Sequence, residues 1–409
     1  MKTIYFDKDI PRVLATKAAV SVSKKIKPAG RLLYTGLNAV KYKTDIPDPP
    51  LPAANWVRVR NIACGLCGTD VSFFRATTGT NSAFEPIPAS SKTFLGHENV
   101  GRVIEVGAGV ADFKVGDRVG IRAYMSGCDT KDLPRCRYCA EGNYNLCLNY
   151  GAKPRFDLEW TGAGFGDTFI APQQQLYHVF DEISDADAPM IEPAAVSIHA
   201  VLRSPPQKGE KILVMGCGTI GLGVVQAIKI LEPDCEVWIL ERVPSKIDFA
   251  KRLGADHVLK GDPLRAASKA CGGSAVYQGM SAKNRFFFGG FDRLYDCIGG
   301  DWSNTMGVRL LAPRGTFVKI GHHMCAITYD ETPVWWQELN IVGIDAHGME
   351  TWEGRKLYTF DLVQEWMRDG KYSVEGFITD RFKLDDYKAA LELAIRNPPD
   401  VVKIVLECQ

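Results

Sequence analysis

No apolar stretch in this chain approaches the ~20 residues that a bilayer-spanning helix needs, so no transmembrane segment is expected. The first ten residues, MKTIYFDKDI, carry Asp7 and Asp9 and lack an apolar central stretch, so they do not read as a secretory signal. Surplus charge is missing too. A formal net charge of +1 creates no field to attract nucleic acid or acidic lipid, and the short basic run 23–31 reads as a solvated face. There are no internal repeats and no low-complexity segment. Cysteine is present, 12 residues in 409, but not at the density of a small disulfide-stapled scaffold. A reducing, cytoplasmic compartment follows, with Cys297 and Cys408 expected as buried thiols in apolar strands. With 46% hydrophobic and 24% charged residues, the composition is that of a globular protein, long enough for two domains, each with its own core.

The texture changes along the chain. Residues 1–45 are read only as an extra strand or arm, and the prolines of 46–52 as a linker. The segment 56–64 alternates as a strand, and 100–107 and 115–121 read as strands joined by a Gly/Asp turn, so this first third is β-rich, like a small barrel. From about residue 200, a continuous apolar run (211–216) and further strands (236–241, 257–259, 293–300, 315–321) are interspersed with helical patterns (219–233, 244–255). Strands buried on both faces and separated by helices indicate a parallel α/β sheet. After 348 a helix over 354–369, a strand at FITDRF, a helix near 385–396 and a last strand are expected. Residues 269–291 read as an irregular, lengthened surface connection.

Gly216, Gly218 and Gly221 form G-x-G-x-x-G between an apolar run and a helix. The first allows a tight turn, the second lets the backbone approach a pyrophosphate, and the third packs helix on strand. The helix N-terminus supplies amides and partial positive charge. Glu241 ends the next strand, where a carboxylate binds both ribose hydroxyls and repels a 2′-phosphate. That favours NAD, although the neighbouring Arg242 could instead accept the phosphate of NADP. The plain alternative for Glu241 is a solvated strand-end charge.

Metal donors cluster in three places. Cys67 lies in ACGLCGTD, His97 and Glu98 in LGHENVGRV, and Glu192 in IEPAAVSIHA. Taken singly they are unremarkable: Cys67 as a buried thiol or half of a Cys64-x-x-Cys67 redox pair, His97 as a turn residue, Glu98 as a surface charge. Cys136-x2-Cys139-x7-Cys147 is the second set. Three buried thiols without metal are its alternative, but RCRYCAEGNYNLC offers little apolar core to hide them.

Taken in order, these motifs resemble the zinc-dependent medium-chain alcohol and polyol dehydrogenases, in the branch like sorbitol and threonine dehydrogenases, over roughly residues 45–409. The resemblance implies an α/β fold: a Rossmann-type parallel-sheet domain (200–348) plus a β-rich GroES-like catalytic domain (1–199) with a structural zinc lobe (128–147), and a C-terminal segment (349–409) returning to the catalytic domain. It implies two zinc ions per chain and NAD. Cys67, His97 and Glu98 would hold the catalytic zinc, and Glu192, in the E-P motif of the polyol branch, would bind the zinc or its water. Carboxylate in place of a second thiolate makes a harder, more Lewis-acidic centre. Thr69 resembles the hydroxyl that accepts the substrate proton, and Ser72 stands where the next relay member is usually histidine. In the lobe, a fourth cysteine is expected at the position of Leu133, and Cys128 is the obvious substitute. Thr219, Ile220, Lys246 and Ile320 complete the expected cofactor contacts.

The function so implied is hydride transfer between a secondary alcohol on a polar small molecule and NAD. A threonine or amino-alcohol dehydrogenase is the nearest rival, and a non-catalytic NAD- or zinc-binding protein is the rival of another class. Partners would be a small-molecule alcohol and further copies of the chain, as homodimer or homotetramer, with no nucleic acid and no membrane. The loop from Phe73 to Lys92 and the N-terminal arm are expected to shape the pocket.

Overall fold

The computed structural model describes residues 1–25, 33–77, 92–122, 127–153, 155, 158–282, 284–322 and 324–409. Most of the basic run 23–31 and positions 78–91 of the expected pocket loop lie outside the described residues. The chain divides into two compact units. One comprises Met1–Glu192, Thr351–Arg368 and Ser373–Gln409, and the other Pro193–Glu350 and Asp369–Tyr372.

The first unit is built around the strand Trp56–Gly65. It pairs antiparallel with Glu98–Val106, Thr168–Pro172 and the C-terminal strand Lys403–Glu407. Trp56, Val57 and Val59 are fully buried while Arg60 is exposed. The register sets Gly65 opposite both Glu98 and Val405. Two chain-distant segments therefore converge two residues before Cys67.

The N-terminal residues form more than an arm. Thr3–Asp7 lies between Val40–Lys43 and Lys92–Phe94 in a three-stranded antiparallel sheet, and Ile10–Lys25 is a helix. Val13, Thr16, Val20 and Val22 hide that helix from the sequence, because β-branched residues lower helix propensity.

The second unit has six parallel strands in the spatial order His257–Val258, Glu236–Leu240, Lys211–Met215, Phe291–Asp296, Leu311–Lys319, Asn340–Gly343. Ile212, Leu213, Val214 and Met215 are fully buried, as expected of a strand covered on both faces. The strand order reverses beside Lys211–Met215, which is where doubly wound sheets bind ligands. Two sequence expectations need correction. Residues 354–369 are not one helix: Met349–Trp352 and Arg355–Tyr358 form a hairpin, and the helix spans only Thr359–Arg368. Glu353 and Gly354 both have positive φ (49° and 78°), the two-residue turn that suits a hairpin. Cys297 is only half-buried, whereas Cys408 is buried. The 269–291 connection carries its own short hairpin, Tyr277–Gln278 with Arg285–Phe286.

Candidate active site

Cys67 caps the short helix Gly68–Phe74, and His97 precedes the strand Glu98–Val106. One donor atom each from Cys67, His97 and Glu98 lies within 4.8 Å of the others. Glu192 is not in that set, but its carboxyl is close enough to feel His97 and Glu98. It is 4% exposed, and burial pushes it up to about 7, against the pull of His97. Burial alone would lower the His97 imidazole, yet the Cys67 sulfur, its hydrogen-bond partner, and the carboxylates of Asp70 and Glu192 draw it well above its usual value. Soft sulfur, imidazole and carboxylate gathered this closely fit a divalent cation such as zinc, with three protein ligands and an open position.

Two residues not singled out from the sequence hold this set in place. Asp70 is 2% exposed; it accepts from the Cys67 amide at 3.0 Å and from the Gly96 amide at 3.2 Å. It thus ties the two ligand-bearing segments together. Lys403 is 5% exposed and donates to both Glu98 oxygens, at 2.7 and 2.6 Å, and to the Leu66 carbonyl. Burial works against its charge, but Glu98 holds the ammonium above its usual value. The signal available in the sequence was a lysine directly before the apolar run Ile404–Leu406 of its strand, KIVLE. Gly65 leaves the space that Glu98 needs: a Cβ there would lie 2.1 Å from Glu98 Oε2. Thr69 lies in the first turn of the same short helix, half-buried. Ser72 Oγ donates back to the Gly68 carbonyl at 3.1 Å, so its proton is directed into the helix.

The second cysteine set is built from Cys128 in the turn Gly127–Thr130, Cys136 and Cys139 around the turn Arg137–Ala140, and Cys147 after Tyr144–Leu146. All four sulfurs lie within 4.8 Å of one another. Cys128 Sγ and Cys147 Sγ are 3.7 Å apart, and a tetrahedron with ~2.3 Å zinc–sulfur bonds has edges of about 3.8 Å. The Leu133 amide donates to the Cys128 carbonyl, so the turn folds back and brings Cys128 to the place where a fourth ligand is needed. Burial opposes ionisation of Cys136, but amides of Cys139 and Leu148 aimed at its sulfur hold it down to about 6. A thiol with that thiolate character is suited to metal.

In the second unit, Gly216 (φ 86°) follows the strand Lys211–Met215, and Gly218 caps the helix Thr219–Leu231. A Cβ on Gly221 would lie 1.8 Å from the Gly216 carbonyl oxygen, whereas one on Gly218 would meet nothing within 4 Å. The third glycine is thus required by packing, and the second faces open space suited to a phosphate. Glu241 Oε2 accepts from the Cys217 amide at 2.9 Å, and Oε1 from the amides of Arg242 and Val243. The strand-end carboxylate therefore also braces the glycine turn. Thr219 and Ile220 are half-buried in the first helical turn, Arg242 is exposed, and Lys246 and Ile320 are buried.

Residues 53–181 match the family model of the alcohol dehydrogenase GroES-like domain, and residues 219–357 that of the zinc-binding dehydrogenase. A sorbitol dehydrogenase of Bacillus subtilis is 32% identical over 364 residues, covering 87% of this chain and 92% of the relative. A probable D-xylulose reductase A of Arthroderma otae is 27% identical over 366 residues, 87% of this chain and 91% of the relative. Among solved structures, galactitol-1-phosphate dehydrogenase from Escherichia coli superposes with a TM-score of 0.69 at 20% identity, covering 100% of both chains. The 2R,3R-butanediol dehydrogenase from Bacillus subtilis does so at 0.67 and 24%, covering 90% of this chain and 96% of the other. The expected pairing of a GroES-like domain with a Rossmann-type domain is borne out.

Proposed function

The chain belongs to the zinc-dependent medium-chain polyol dehydrogenase family, and from that premise we propose that it moves a hydride between a secondary alcohol of a polyol or sugar-like molecule and NAD. The observation that carries this reading is the donor set Cys67, His97 and Glu98, with carboxyl rather than thiol at position 192. When bound there, zinc acts as a Lewis acid that makes the substrate hydroxyl more acidic.

The chain's own residues supply the rest. Asp70 and Lys403 keep the ligand segments in register. Thr69 accepts the substrate's hydroxyl proton. Ser72 already donates to Gly68, so the proton leaves through water rather than through a histidine at that position. Glu192 hydrogen-bonds a second, vicinal hydroxyl, a contact that ethanol cannot offer. Gly216, Gly218, Thr219, Ile220 and Gly221 present backbone to the pyrophosphate. Glu241, with Lys246 and Ile320, selects NAD, and its carboxylate repels the 2′-phosphate of NADP.

Supporting a homodimer or homotetramer, the strand Asn340–Gly343 is the last of its sheet, paired on one side only among the described residues. Such edges invite a second chain. The twelve cysteines are free thiols, which supports a reducing, cytoplasmic setting, and no described helix is long and apolar enough to cross a membrane.

The test is NADH formation with a panel of polyols, sugars, amino alcohols and simple alcohols, before and after chelation. Chelator-sensitive turnover highest on a polyol is expected. Highest kcat/KM on ethanol or a long-chain primary alcohol, or no turnover at all, would overturn the reading.

A further inference from the structure

A cavity of about 350 Å³ opens in the first unit, between the segment Leu33–Tyr42 and the start of the helix Tyr387–Arg396. That volume lies at the lower end of the range of small-molecule sites. No candidate metal ligand or cofactor residue lines it.

Its walls combine three features. The first is unbalanced positive charge. Lys41 and Lys388 both line the cavity. Each ammonium donates to one backbone carbonyl, of Gly36 and Tyr34 respectively, and neither has a carboxylate partner among the described residues. Burial and the nearby charges of Arg12 and Lys388 lower Lys41, although Asp7 and Asp9 offset part of this. Asp385, the carboxylate in the wall, is already taken: it accepts from the Tyr42 hydroxyl and pairs with Lys2 at 3.3 Å. Two cations sharing a partly desolvated wall are stabilised by an anion between them.

The second feature is a phenol hydroxyl without a hydrogen-bond partner, on a residue whose ring is buried. Tyr387 is 6% exposed, and its phenol makes no hydrogen bond among the described residues. The hydroxyl is not sealed off, so it can donate to a molecule in the cavity. The third is an aromatic lining. The Tyr42 and Tyr387 rings sit 5.4 Å apart at 61°, and fully buried Phe74 forms part of the wall.

We propose that this cavity is a binding site for a small aromatic carboxylate, with Lys41 and Lys388 on the carboxylate, the Tyr387 hydroxyl donating to it, and the ring against Tyr42, Tyr387 and Phe74. Phe74 is the last residue of the helix that begins at Gly68, and its carbonyl accepts from Asn38 at 3.1 Å. The ligand therefore packs against the far end of the segment that carries Thr69. The site itself is independent of the proposed polyol activity.

The experiment is calorimetric titration of the zinc-loaded full chain with benzoate, with inorganic phosphate and cyclohexylamine as controls. Saturable benzoate binding with Kd near 1 mM is expected, the scale for about nine heavy atoms. Lys41→Met with Lys388→Met should weaken it at least about tenfold, and Tyr387→Phe, which keeps the ring, about threefold to tenfold. Cyclohexylamine should not bind, and phosphate should bind more weakly than benzoate. Melting curves of the variants check their fold. No saturable binding up to ~10 mM overturns the proposal, as does phosphate binding as tightly as benzoate. Affinity unchanged in both variants overturns it too, as does displacement of benzoate by an alcohol substrate, which would place the benzoate on the catalytic metal.

Discussion

Lys403 and Glu98 form an ion pair in which both side chains are nearly inaccessible, 5% and 2% exposed. Removing one member of such a pair leaves a buried charge uncompensated and costs about 3–5 kcal/mol. Lys403→Met should lose stability on that scale in denaturant titrations of the metal-free protein, and less with zinc bound, because a cation beside Glu98 replaces the lost charge. Equal losses in both forms would show that Glu98 does not reach the metal. Glu241→Ala should narrow the preference for NAD over NADP by at least about tenfold, since a hydrogen bond to a charged group contributes ~1.5–3 kcal/mol. KM for both cofactors should rise as well, because the same carboxylate braces Cys217. Equal use of NADP by the wild type would instead assign the site to Arg242. Lys8 offers a pH test. Burial lowers its ammonium from 10.5 to about 8. The folded-state value lies below the unfolded one, so the favourable contribution is complete above 10.5 and is lost as pH falls through about 8. Lys8→Met should therefore raise Tm at pH 7 by about 1–2 °C, and the gain should shrink towards pH 10.

At the scale of elements, the cysteine lobe has short helical turns and little apolar packing beyond its own sulfurs, with Tyr144 and Cys136 at their edge. Four sulfurs at metal spacing do there what a core does elsewhere. Cys128→Ser should reduce bound zinc from two per chain to one, with a lower Tm but the catalytic metal retained. Gly127→Ala should do the same by another route, since a Cβ there would lie 2.2 Å from the Asn149 carbonyl oxygen. Full zinc content in Cys128→Ser would remove Cys128 from the shell.

For the whole molecule, the two sets of donors differ in kind. The four-cysteine set offers four sulfurs, enough to complete a tetrahedral shell, whereas Cys67, His97 and Glu98 offer three donors, which would leave a fourth position open. Metal analysis should find about two zinc ions per chain. Mild chelation should abolish turnover with little change in Tm, and a stronger chelator should then lower Tm as the lobe metal leaves. Loss of both metals in one step, with unfolding, would contradict the separation.

The parallel sheet was legible in the sequence because its central strand is buried on both faces, so that KILVM is apolar after its first residue. The glycine turn was legible because its constraints are local: a positive φ at Gly216 and a 1.8 Å clash at Gly221 arise within six residues. The candidate metal donors are unremarkable singly and lie in separate segments, and they were legible only through their order, which resembles that of the family. Their supports were not. Lys403 reaches Glu98 only because the last strand pairs with Trp56–Gly65 in a particular register, and no pattern within KIVLEC encodes that register. The Tyr387 cavity likewise depends on contacts between segments far apart in the chain, whereas the helix Ile10–Lys25 and the hairpin at 349–358 are local and were missed because β-branched residues and a Glu-Gly turn gave weak signals. Local sequence thus determined which chemistry the chain carries. Tertiary structure decided which charges face each other and which polar groups line one cavity, because Coulombic and hydrogen-bond energies depend on distance in space, not on separation along the chain.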